Sequence, residues 1–309
     1  MARLGPLWEL LNSRRPTTIF QDFQLNLLAA QTFADREEPA IVWAQGSNGA
    51  AIVPAVVRRS NCSVRLLGEE LFDYRRFLHA GDSEILTAAL CELGRLGRPL
   101  EVLALREPDL QSLPEGLLPQ PFCSAPGISG RDVSFDEFSR MHAGLARNLR
   151  RLRELGFGLE TYNGNNPRLL RSIYERKAAQ DPASLFHDPL RIEFLVNAAM
   201  LKPDLFQIFT LQSGQRLAAA LVTLQDENIR RFYTAWFAPE LGRHSPALSL
   251  IYQVTRISLA AGLDCDYLTG EQPYKLRLAT CSMPLFRVQA SAEQLSGLGA
   301  PVAEARDAA

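Results

Sequence analysis

The stretch that decides the fold runs from Arg230 to Gly270 and reads RRFYTAWFAPELGRHSPALSLIYQVTRISLAAGLDCDYLTG. Its first nine residues are rich in aromatic and apolar side chains, which is typical of a β-strand. Ser245 and Pro246 then favour a helix start, and an apolar stripe at helical spacing follows as far as Gly262. The stripe consists of Leu250, Val254, Ile257 and Ala261. The stretch closes on a second short apolar strand, so the order strand, helix, strand predicts an α/β fold.

The same order of elements occurs twice along the chain. Before Arg230, the segment Phe206–Leu224 has two β-rich runs around a polar turn, which predicts a hairpin. In the first half, Ala40–Val57 has the same pattern and is followed by the strand VRLLG. A helix with Asp82 as its N-cap and Gly97 at its end comes next, and then the strand LEVLAL. The pattern indicates two copies of one supersecondary plan, although any α/β protein can produce similar hairpins and helices.

The chain is long enough for two lobes, because 309 residues exceed what one hydrophobic core usually supports. We predict an N-terminal lobe over residues 1–133, a connecting basic helix over 134–156 and a C-terminal lobe over 157–290. Residues 291–309 are small and polar, and their composition predicts a disordered tail. The expected fold class is α/β (α+β), with a mixed twisted sheet flanked by helices in each lobe.

Composition excludes several classes of protein. Apolar residues make up 47% and charged residues 22% of the chain, which is ordinary for a folded protein. The net charge of -1 predicts no broad attraction for nucleic acid or anionic lipid. No apolar run approaches the roughly 20 residues that a membrane span needs, and Met1–Arg15 lacks the pattern of a secretory signal. We therefore expect a cytoplasmic protein.

The cysteines predict neither disulfides nor a metal site. There are five of them, and their wide gaps show no paired spacing. The five are Cys62, Cys91, Cys123, Cys265 and Cys281. No metal cofactor is expected, and a reducing compartment is the simplest interpretation.

The first candidate site is the strand-to-helix junction around Ser245. Free amides at a helix start and the helix dipole favour an anion, so a pyrophosphate fits there. Pro246 removes one donor. The predicted cofactor-binding residues are Arg243, His244, Ser245, Ala247 and Leu248. A capped helix without any ligand is the alternative.

The second candidate site is the polar segment that follows the last strand of the deciding stretch. Carboxylates at a strand end, followed by a Tyr-Lys pair, bring titratable groups to a sheet edge where α/β sites usually form. The predicted catalytic residues are Asp266, Glu271, Tyr274 and Lys275. The alternatives are ion pairs of the carboxylates with Lys275 or Arg277, and a packed Tyr274 ring whose hydroxyl is satisfied.

Further substrate contacts are predicted on two other elements. Tyr174 and Lys177 lie on a helical segment of which they could equally form an exposed face. Tyr233 and Trp236 belong to the strand Phe232–Phe237, where a backbone amide is the expected oxyanion donor.

Several of these segments resemble one family. They are LARNLRRLRELG, YERKAAQ, HSPALSLIYQ and, above all, DYLTGEQPYKLRLA, together with TIFQDFQLNLLAAQTF and FDYRRFLHAGD in the first half. The resemblance is to the acetyltransferase-like proteins of the cellulose-biosynthesis (CelD-like) and BioF2-like branch of the GNAT superfamily, which is related to Fem-type transferases. It is clearest from Arg147 to Val288.

The resemblance implies two tandem GNAT-like lobes, of which the second binds acyl-CoA, typically acetyl-CoA, near Arg243. It also implies that a substrate approaches near Asp266 to Lys275. The GNAT pyrophosphate pattern is Arg or Gln, two residues, Gly, one residue, then Gly or Ala. This sequence departs from it, since Pro246 stands where a Gly is expected.

The function that the resemblance implies is transfer of an acyl group from acyl-CoA to an amine of a small molecule or of a polysaccharide or envelope precursor. An amine of pKa about 10.4 is only ~0.1% neutral at pH 7, so Asp266, Glu271 or Tyr274 is expected to act as a base. Lys275→Ala or Asp266→Ala is then expected to abolish transfer without unfolding the chain. The alternatives are a Fem-type transferase that uses charged tRNA, and a non-catalytic accessory protein of exopolysaccharide biosynthesis.

Overall fold

The computed structural model describes residues 4–14 and 18–298. It divides the chain into two compact units. The first comprises the described residues up to Phe122 and those from Leu285 onward, and the second is Cys123–Pro284. These boundaries differ from the predicted ones, because the basic run after residue 134 lies inside the second unit and the last strand returns to the first.

Both units contain helices and strands. The helices are α1 Gly5–Ser13, α2 Phe23–Thr32, α3 Ser83–Gly94, α4 Glu107–Leu110, α5 Phe135–Met141, α6 Ala143–Glu154, α7 Pro167–Gln180, α8 Pro189–Leu201, α9 Pro246–Ala260, α10 Pro273–Leu278 and α11 Ala292–Ser296. Short 3-10 helices span Ile19–Gln21, Leu185–His187 and Pro239–His244. The strands are β1 Glu37–Pro39, β2 Val42–Gly46, β3 Gly49–Val53, β4 Ala55–Arg58, β5 Val64–Leu66, β6 Leu78–Gly81, β7 Leu100–Arg106, β8 Gln120–Ile128, β9 Gly158–Asn163, β10 Phe206–Ser213, β11 Arg216–Asp226, β12 Ile229–Phe237, β13 Asp264–Asp266 and β14 Cys281–Ala290.

The first unit contains two sheets. In the larger one the order is β1, β4, β5, β7 and the Leu285–Ala290 part of β14, with β5 parallel to β7. The smaller sheet has the order β2, β3, β6, so the predicted hairpin forms but belongs to a sheet of its own. Helix α3 packs its buried leucines against both β2 and β3.

The predicted tail needs a correction, because its first residues form helix α11. Ser291 and Gln294 make a reciprocal capping box, which satisfies the backbone amides at the helix start. Leu295 is fully buried, and α11 packs against α3. Composition alone missed this helix because one buried leucine and a cap are enough to hold a short segment onto a core. Residues 299–309 lie outside the described residues.

The second unit has one mixed sheet with the order β8, β13, β12, β11, β10, β9. Its pairs are antiparallel except for β12 and β13, which are parallel. Helix α9 lies in the connection between these parallel strands, and in the first unit the connection from β5 to β7 contains β6 and helix α3. The predicted fold class, mixed α/β with a twisted mixed sheet flanked by helices in the GNAT manner, is confirmed.

The packing of α6 in the second unit explains its many arginines. Leu145, Leu149 and Leu152 are buried on one face of α6, which packs against α9. The arginines of α6 occupy the exposed face. An amphipathic helix of this kind is stabilised by its apolar stripe. Within the described ranges, no helix combines the length and the apolar character that crossing a membrane requires.

Stability of the second unit is expected to fall as the pH drops below about 6.5. His142 separates α5 from α6 and packs against the ring of Phe138, with ring centroids 4.6 Å apart. Burial, followed by the charge of Arg277, lowers the pKa of His142. The folded state therefore binds this proton less readily than the unfolded chain, and the stability present above the unfolded pKa is lost as the pH falls through it.

Urea unfolding at pH 7.5 and at pH 5.0 measures this loss, since most carboxylates stay ionised in that window. His142→Phe keeps an aromatic ring against Phe138 and should reduce the loss. An equal pH dependence in the variant and the natural protein would show that other groups cause it.

Candidate active site

The parallel strands β12 and β13 separate soon after they begin. They pair from Ile229↔Asp264 to Arg231↔Asp266, and β12 then continues to Phe237 while its other edge stays paired with β11. The register between β11 and β12 shifts at Val222/Thr223, where Val222 pairs with Thr234 and Thr223 pairs with Phe232. Tyr233 is therefore a bulge residue, and the edge of β12 beyond it faces open space instead of a described strand.

That space is a cavity of about 650 Å³ in the second unit. Four parts of the unit line it: the end of α7 with the loop after it, the unpaired edge of β12, the start of α9, and α10. The lining includes both predicted sites, since Ser245, Ala247 and Leu248 lie on one wall and Tyr274 and Lys275 on another.

The start of α9 offers unsatisfied backbone donors to the cavity. Ser245 has a left-handed backbone with φ 46°, and within the described part of the chain no side chain caps the helix. Pro246 has no amide hydrogen, but Ala247 and Leu248 contribute the next two amides at the cavity wall. The predicted cap is thus corrected: Ser245 occupies the N-cap position, but its left-handed conformation does not bring its side chain to the first-turn amides.

Arg243 and His244 lie in the 3-10 helix before α9 and do not line the cavity. Arg243 donates its Nε hydrogen to His244 Nε2 at 3.0 Å, and both side chains belong to a solvent-accessible turn. Gly242, immediately before them, does line the cavity. Of the five predicted cofactor-binding residues, the structure therefore brings three to the cavity wall and leaves these two beside it.

Tyr274 and Lys275 reach the cavity because the preceding loop is held against α10. The Lys275 side chain is buried, and its Nζ donates to the carbonyl oxygens of Thr269 at 2.6 Å and Leu268 at 3.3 Å. Leu268 itself has a left-handed backbone with φ 62°. Tyr274 stays 38% exposed, so its ring can meet a ligand without first leaving a core.

Asp266 and Glu271 do not line the cavity, which is the reverse of their predicted catalytic placement. Asp266 forms a buried ion pair with Arg231 on β12, and its Oδ1 accepts a hydrogen bond from the Leu268 amide at 2.7 Å. Glu271 accepts a hydrogen bond from the Ser124 hydroxyl at 2.8 Å. Asp266 is therefore part of an ion pair, which was the alternative to a catalytic role. Its partner is Arg231 and not the expected Lys275 or Arg277.

The four predicted substrate contacts divide into two groups. Lys177 and Tyr233 line the cavity. Tyr174 is fully buried behind Phe186, with ring centroids 4.7 Å apart, and burial raises the pKa of its hydroxyl well above the usual value. Trp236 is also buried, under the guanidinium of Arg176, which lies 5.1 Å from its ring centroid. Tyr174 and Trp236 thus support the wall and do not form its surface.

Sequence reasoning missed the wall formed by the end of α7 and the loop after it. Gln180 donates to the Phe237 carbonyl at 3.2 Å, which fixes the end of α7 beside β12. Lys177 Nζ donates to Asp181 Oδ2 at 3.1 Å in an ion pair, and this hydrogen bond lowers the pKa of the Asp181 carboxyl group. Nothing in the sequence indicates which way the chain turns after α7 ends.

Asp266→Ala is expected to lower the free energy of unfolding by about 1–3 kcal/mol, because it leaves buried Arg231 with Asp226 as its remaining carboxylate partner. Urea unfolding of the second unit, followed by fluorescence, measures the change in the free energy of unfolding. Asp266→Asn is the matched control, since its amide oxygen keeps the hydrogen bond to the Leu268 amide. If Asp266→Ala were as stable as the natural protein, the ion pair would carry no structural role.

The arrangement of strands and helices around the cavity identifies the type of fold. A mixed sheet with a splayed parallel pair, a bulged strand and an uncapped helix start at the opening is an acetyltransferase-type α/β fold. Consistent with this, the family model described as the acetyltransferase (GNAT) domain matches residues 139–276. The matched segment contains the residues that line the cavity.

Solved structures share the fold over nearly the whole chain. The C-terminal domain of a putative lysylphosphatidylglycerol synthetase from Agrobacterium fabrum has a TM-score of 0.61 at 11% identity, covering 95% of this chain and 94% of that one. FemX has a TM-score of 0.61 at 8% identity, covering 94% and 96%. L-PGS from Bacillus licheniformis has a TM-score of 0.58 at 9% identity, covering 92% and 90%. No curated protein matches the sequence.

Proposed function

We propose that the protein is an N-acyltransferase that takes its acyl group from acyl-CoA and transfers it to an amine. The observation that carries the proposal is that Ala247 and Leu248, at the start of α9, line the same cavity as Tyr274 and Lys275 of α10. A donor anchored at one wall therefore has its reactive end beside titratable groups of the other.

The start of α9 suits the pyrophosphate of CoA. The amides of Ala247 and Leu248 point outward from the helix start, and the positive end of the helix dipole lies there. Arg243 stands next to this wall and can add charge to phosphates that extend out of the cavity. Pro246 makes the cradle thinner than a glycine-rich loop, so weaker phosphate binding is expected than in such loops.

The unpaired edge of β12 suits the thioester. A backbone amide on this edge, next to the Tyr233 bulge, can donate to the carbonyl oxygen as negative charge develops on it. Acyl-CoA supplies the activated carbonyl. The enclosing walls hold the amine beside it. Positioning of this kind can lower the activation free energy by roughly 7–11 kcal/mol.

Proton transfer is assigned to Tyr274. Of the three residues proposed as a base, Tyr274 lines the cavity, whereas Asp266 and Glu271 are engaged elsewhere. Its hydroxyl can take a proton from the attacking amine and give one to the departing thiolate. Lys275 holds the loop before α10 in place through its two carbonyl contacts, so its assigned role is to position this wall.

The acceptor side favours an amine. Asp181 lines the cavity as a carboxylate paired with Lys177, and its second oxygen is the acidic group offered to an ammonium group there. The acceptor class remains as predicted, an amine of a small molecule or of a polysaccharide or envelope precursor. The cellulose-biosynthesis and BioF2-like branch, and action in the cytoplasm, belong to the same proposal.

A Fem-type reaction with charged tRNA is the second candidate, and the likeness of the fold to FemX favours it. A non-catalytic accessory role is the third. Thermal unfolding with CoA, acetyl-CoA and aminoacylated tRNA distinguishes them. Acetyl-CoA at 100 times its Kd is expected to stabilise the protein by about 2.7 kcal/mol. Stabilisation by charged tRNA alone would favour the second candidate, and none by any ligand the third.

A further inference from the structure

Three of the described residues that line the cavity have charged side chains, namely Lys177, Asp181 and Lys275. The Lys275 ammonium group is buried against the carbonyls of Leu268 and Thr269. Lys177 and Asp181 instead form an ion pair at the end of α7, with 3.1 Å between Nζ and Oδ2. Their side chains are 29% and 40% exposed, so a ligand in the cavity can reach both charges.

The ion pair is held at the cavity wall by the backbone around it. Oδ1 of Asp181 accepts a hydrogen bond from the Ala183 amide at 3.1 Å, and the Asp181 carbonyl accepts one from the Ser184 amide at 2.9 Å. One residue before Asp181, the Gln180 side chain donates to the Phe237 carbonyl of β12. These contacts fix the carboxylate before any ligand arrives, which reduces the entropy that binding costs.

The pair lies on a different wall from the one that suits the acyl donor. The wall formed by α9 offers apolar side chains and the amides of its first turn, and its lining residues include Ala247, Leu248 and Ile251. The wall formed by the end of α7 and the loop after it is mostly polar, with Lys177, Gln180, Asp181 and Ser184 among its lining residues. With CoA at the start of α9, the polar wall is left for the acceptor.

The charges of the pair favour an acceptor that carries both an amine and a carboxylate. An ammonium group alone would bring a second cation to a carboxylate that Lys177 already neutralises, and the two cations would repel each other. A carboxylate on the same acceptor removes this excess by facing Lys177 while the ammonium group faces Asp181. In an α-amino acid both groups are bonded to one carbon atom, so they can lie side by side against the two side chains.

We infer that the acceptor is an α-amino acid, with Asp181 contacting its amine and Lys177 its carboxylate. The inference rests on the proposed function. The ammonium group loses one proton to solvent, and its nitrogen then forms a bond to the thioester carbonyl carbon while the carbon–sulfur bond breaks. The nitrogen gives a second proton to the Tyr274 hydroxyl, which passes its own to the departing thiolate. The products are CoA and an N-acyl amino acid that keeps its carboxylate.

The test uses acceptors that differ in the carboxylate alone. CoA release at saturating acetyl-CoA is measured with the common amino acids and with the amines that lack the α-carboxylate, such as ethylamine for alanine and cadaverine for lysine. Glucosamine is included as an amino sugar. Loss of the carboxylate from the best amino acid is expected to lower kcat/KM by roughly 10-fold or more, because a hydrogen bond between charged groups is strong enough for such a change.

Lys177→Gln is expected to raise the KM of that amino acid roughly 10-fold and not to raise the KM of the matching amine, so the preference for the carboxylate shrinks. Arg171→Gln is the matched control. It removes a cation from the same helix, where Arg171 pairs with Glu193 at 2.5 Å outside the cavity lining, and it should leave both KM values unchanged.

The outcomes separate this inference from the proposed function. If acetyl-CoA binds but the matching amine or glucosamine reacts as well as the best amino acid, or if Lys177→Gln keeps the natural preference, the inference is wrong and the function stands. Binding of acetyl-CoA without acylation of any amino acid would overturn the inference in the same way. If acetyl-CoA does not bind and no acceptor reacts, the proposed function fails, and the inference fails with it.

Discussion

Replacing Ala247 with aspartate is expected to weaken acetyl-CoA binding by roughly 100-fold or more while the fold remains intact. The new carboxylate would stand at the cavity wall where the first-turn amides of α9 face a pyrophosphate. Two unit charges 4 Å apart interact by about 4 kcal/mol at an effective dielectric constant of 20, which exceeds the roughly 2.7 kcal/mol that a 100-fold change requires. Calorimetric titration with acetyl-CoA measures the effect.

The same substitution should not destabilise the helix, because an acidic residue in the first turn interacts favourably with the helix dipole. A melting temperature equal to or above that of the natural protein would separate lost binding from lost folding. Ala143→Asp, in the first turn of α6 in the same unit but outside the cavity lining, adds the same charge and should bind acetyl-CoA normally. Equal weakening by both variants would indicate a general charge effect.

Removing the hydroxyl of Tyr274 is expected to slow transfer by roughly 100-fold or more without changing the Kd for acetyl-CoA, because general acid–base catalysis typically contributes that much. Tyr274→Phe keeps the ring, and the position is 38% exposed, so little packing is lost. Release of CoA at saturating acetyl-CoA, with the best acceptor from a panel of amines, measures the rate.

Tyr162→Phe is the control for Tyr274→Phe. Tyr162 lies on β9, where its hydroxyl accepts a hydrogen bond from Gln212 at 2.8 Å and lies outside the cavity lining. The control should keep the natural rate. Should Tyr274→Phe also keep that rate, proton transfer would have to be assigned to another group or to water.

Local patterns predicted much of the fold. The hairpin signal at Phe206–Leu224, the Ser245–Pro246 helix start and the stripe that follows are set by neighbouring residues, and the elements form at these places. The strand after α9 was predicted to extend to Gly270 but ends at Asp266. Its length is set by pairing with β12 and β8, and pairing partners cannot be deduced from a strand's own sequence.

The two segments named from sequence both contribute residues to one cavity, and their roles there stay predictions. The predictions from sequence were wrong about which side chains of these segments reach the cavity. Asp266 and Tyr274 are both polar residues of one segment, but Asp266 lies opposite Arg231 where β12 and β13 still pair, whereas Tyr274 lies at the cavity. Such assignments depend on which side chain lies across the sheet, and composition gives no information about that. The wall containing Asp181 was missed for the same reason.

A crystal structure with acetyl-CoA tests the central claim most directly. The account predicts that the pyrophosphate lies within hydrogen-bonding distance, about 2.7–3.2 Å, of the amide nitrogens of Ala247 and Leu248, with the thioester at the unpaired edge of β12 near Tyr233. Acetyl-CoA bound elsewhere on the protein, or a cavity that stays free of it at saturating concentration, would contradict the claim.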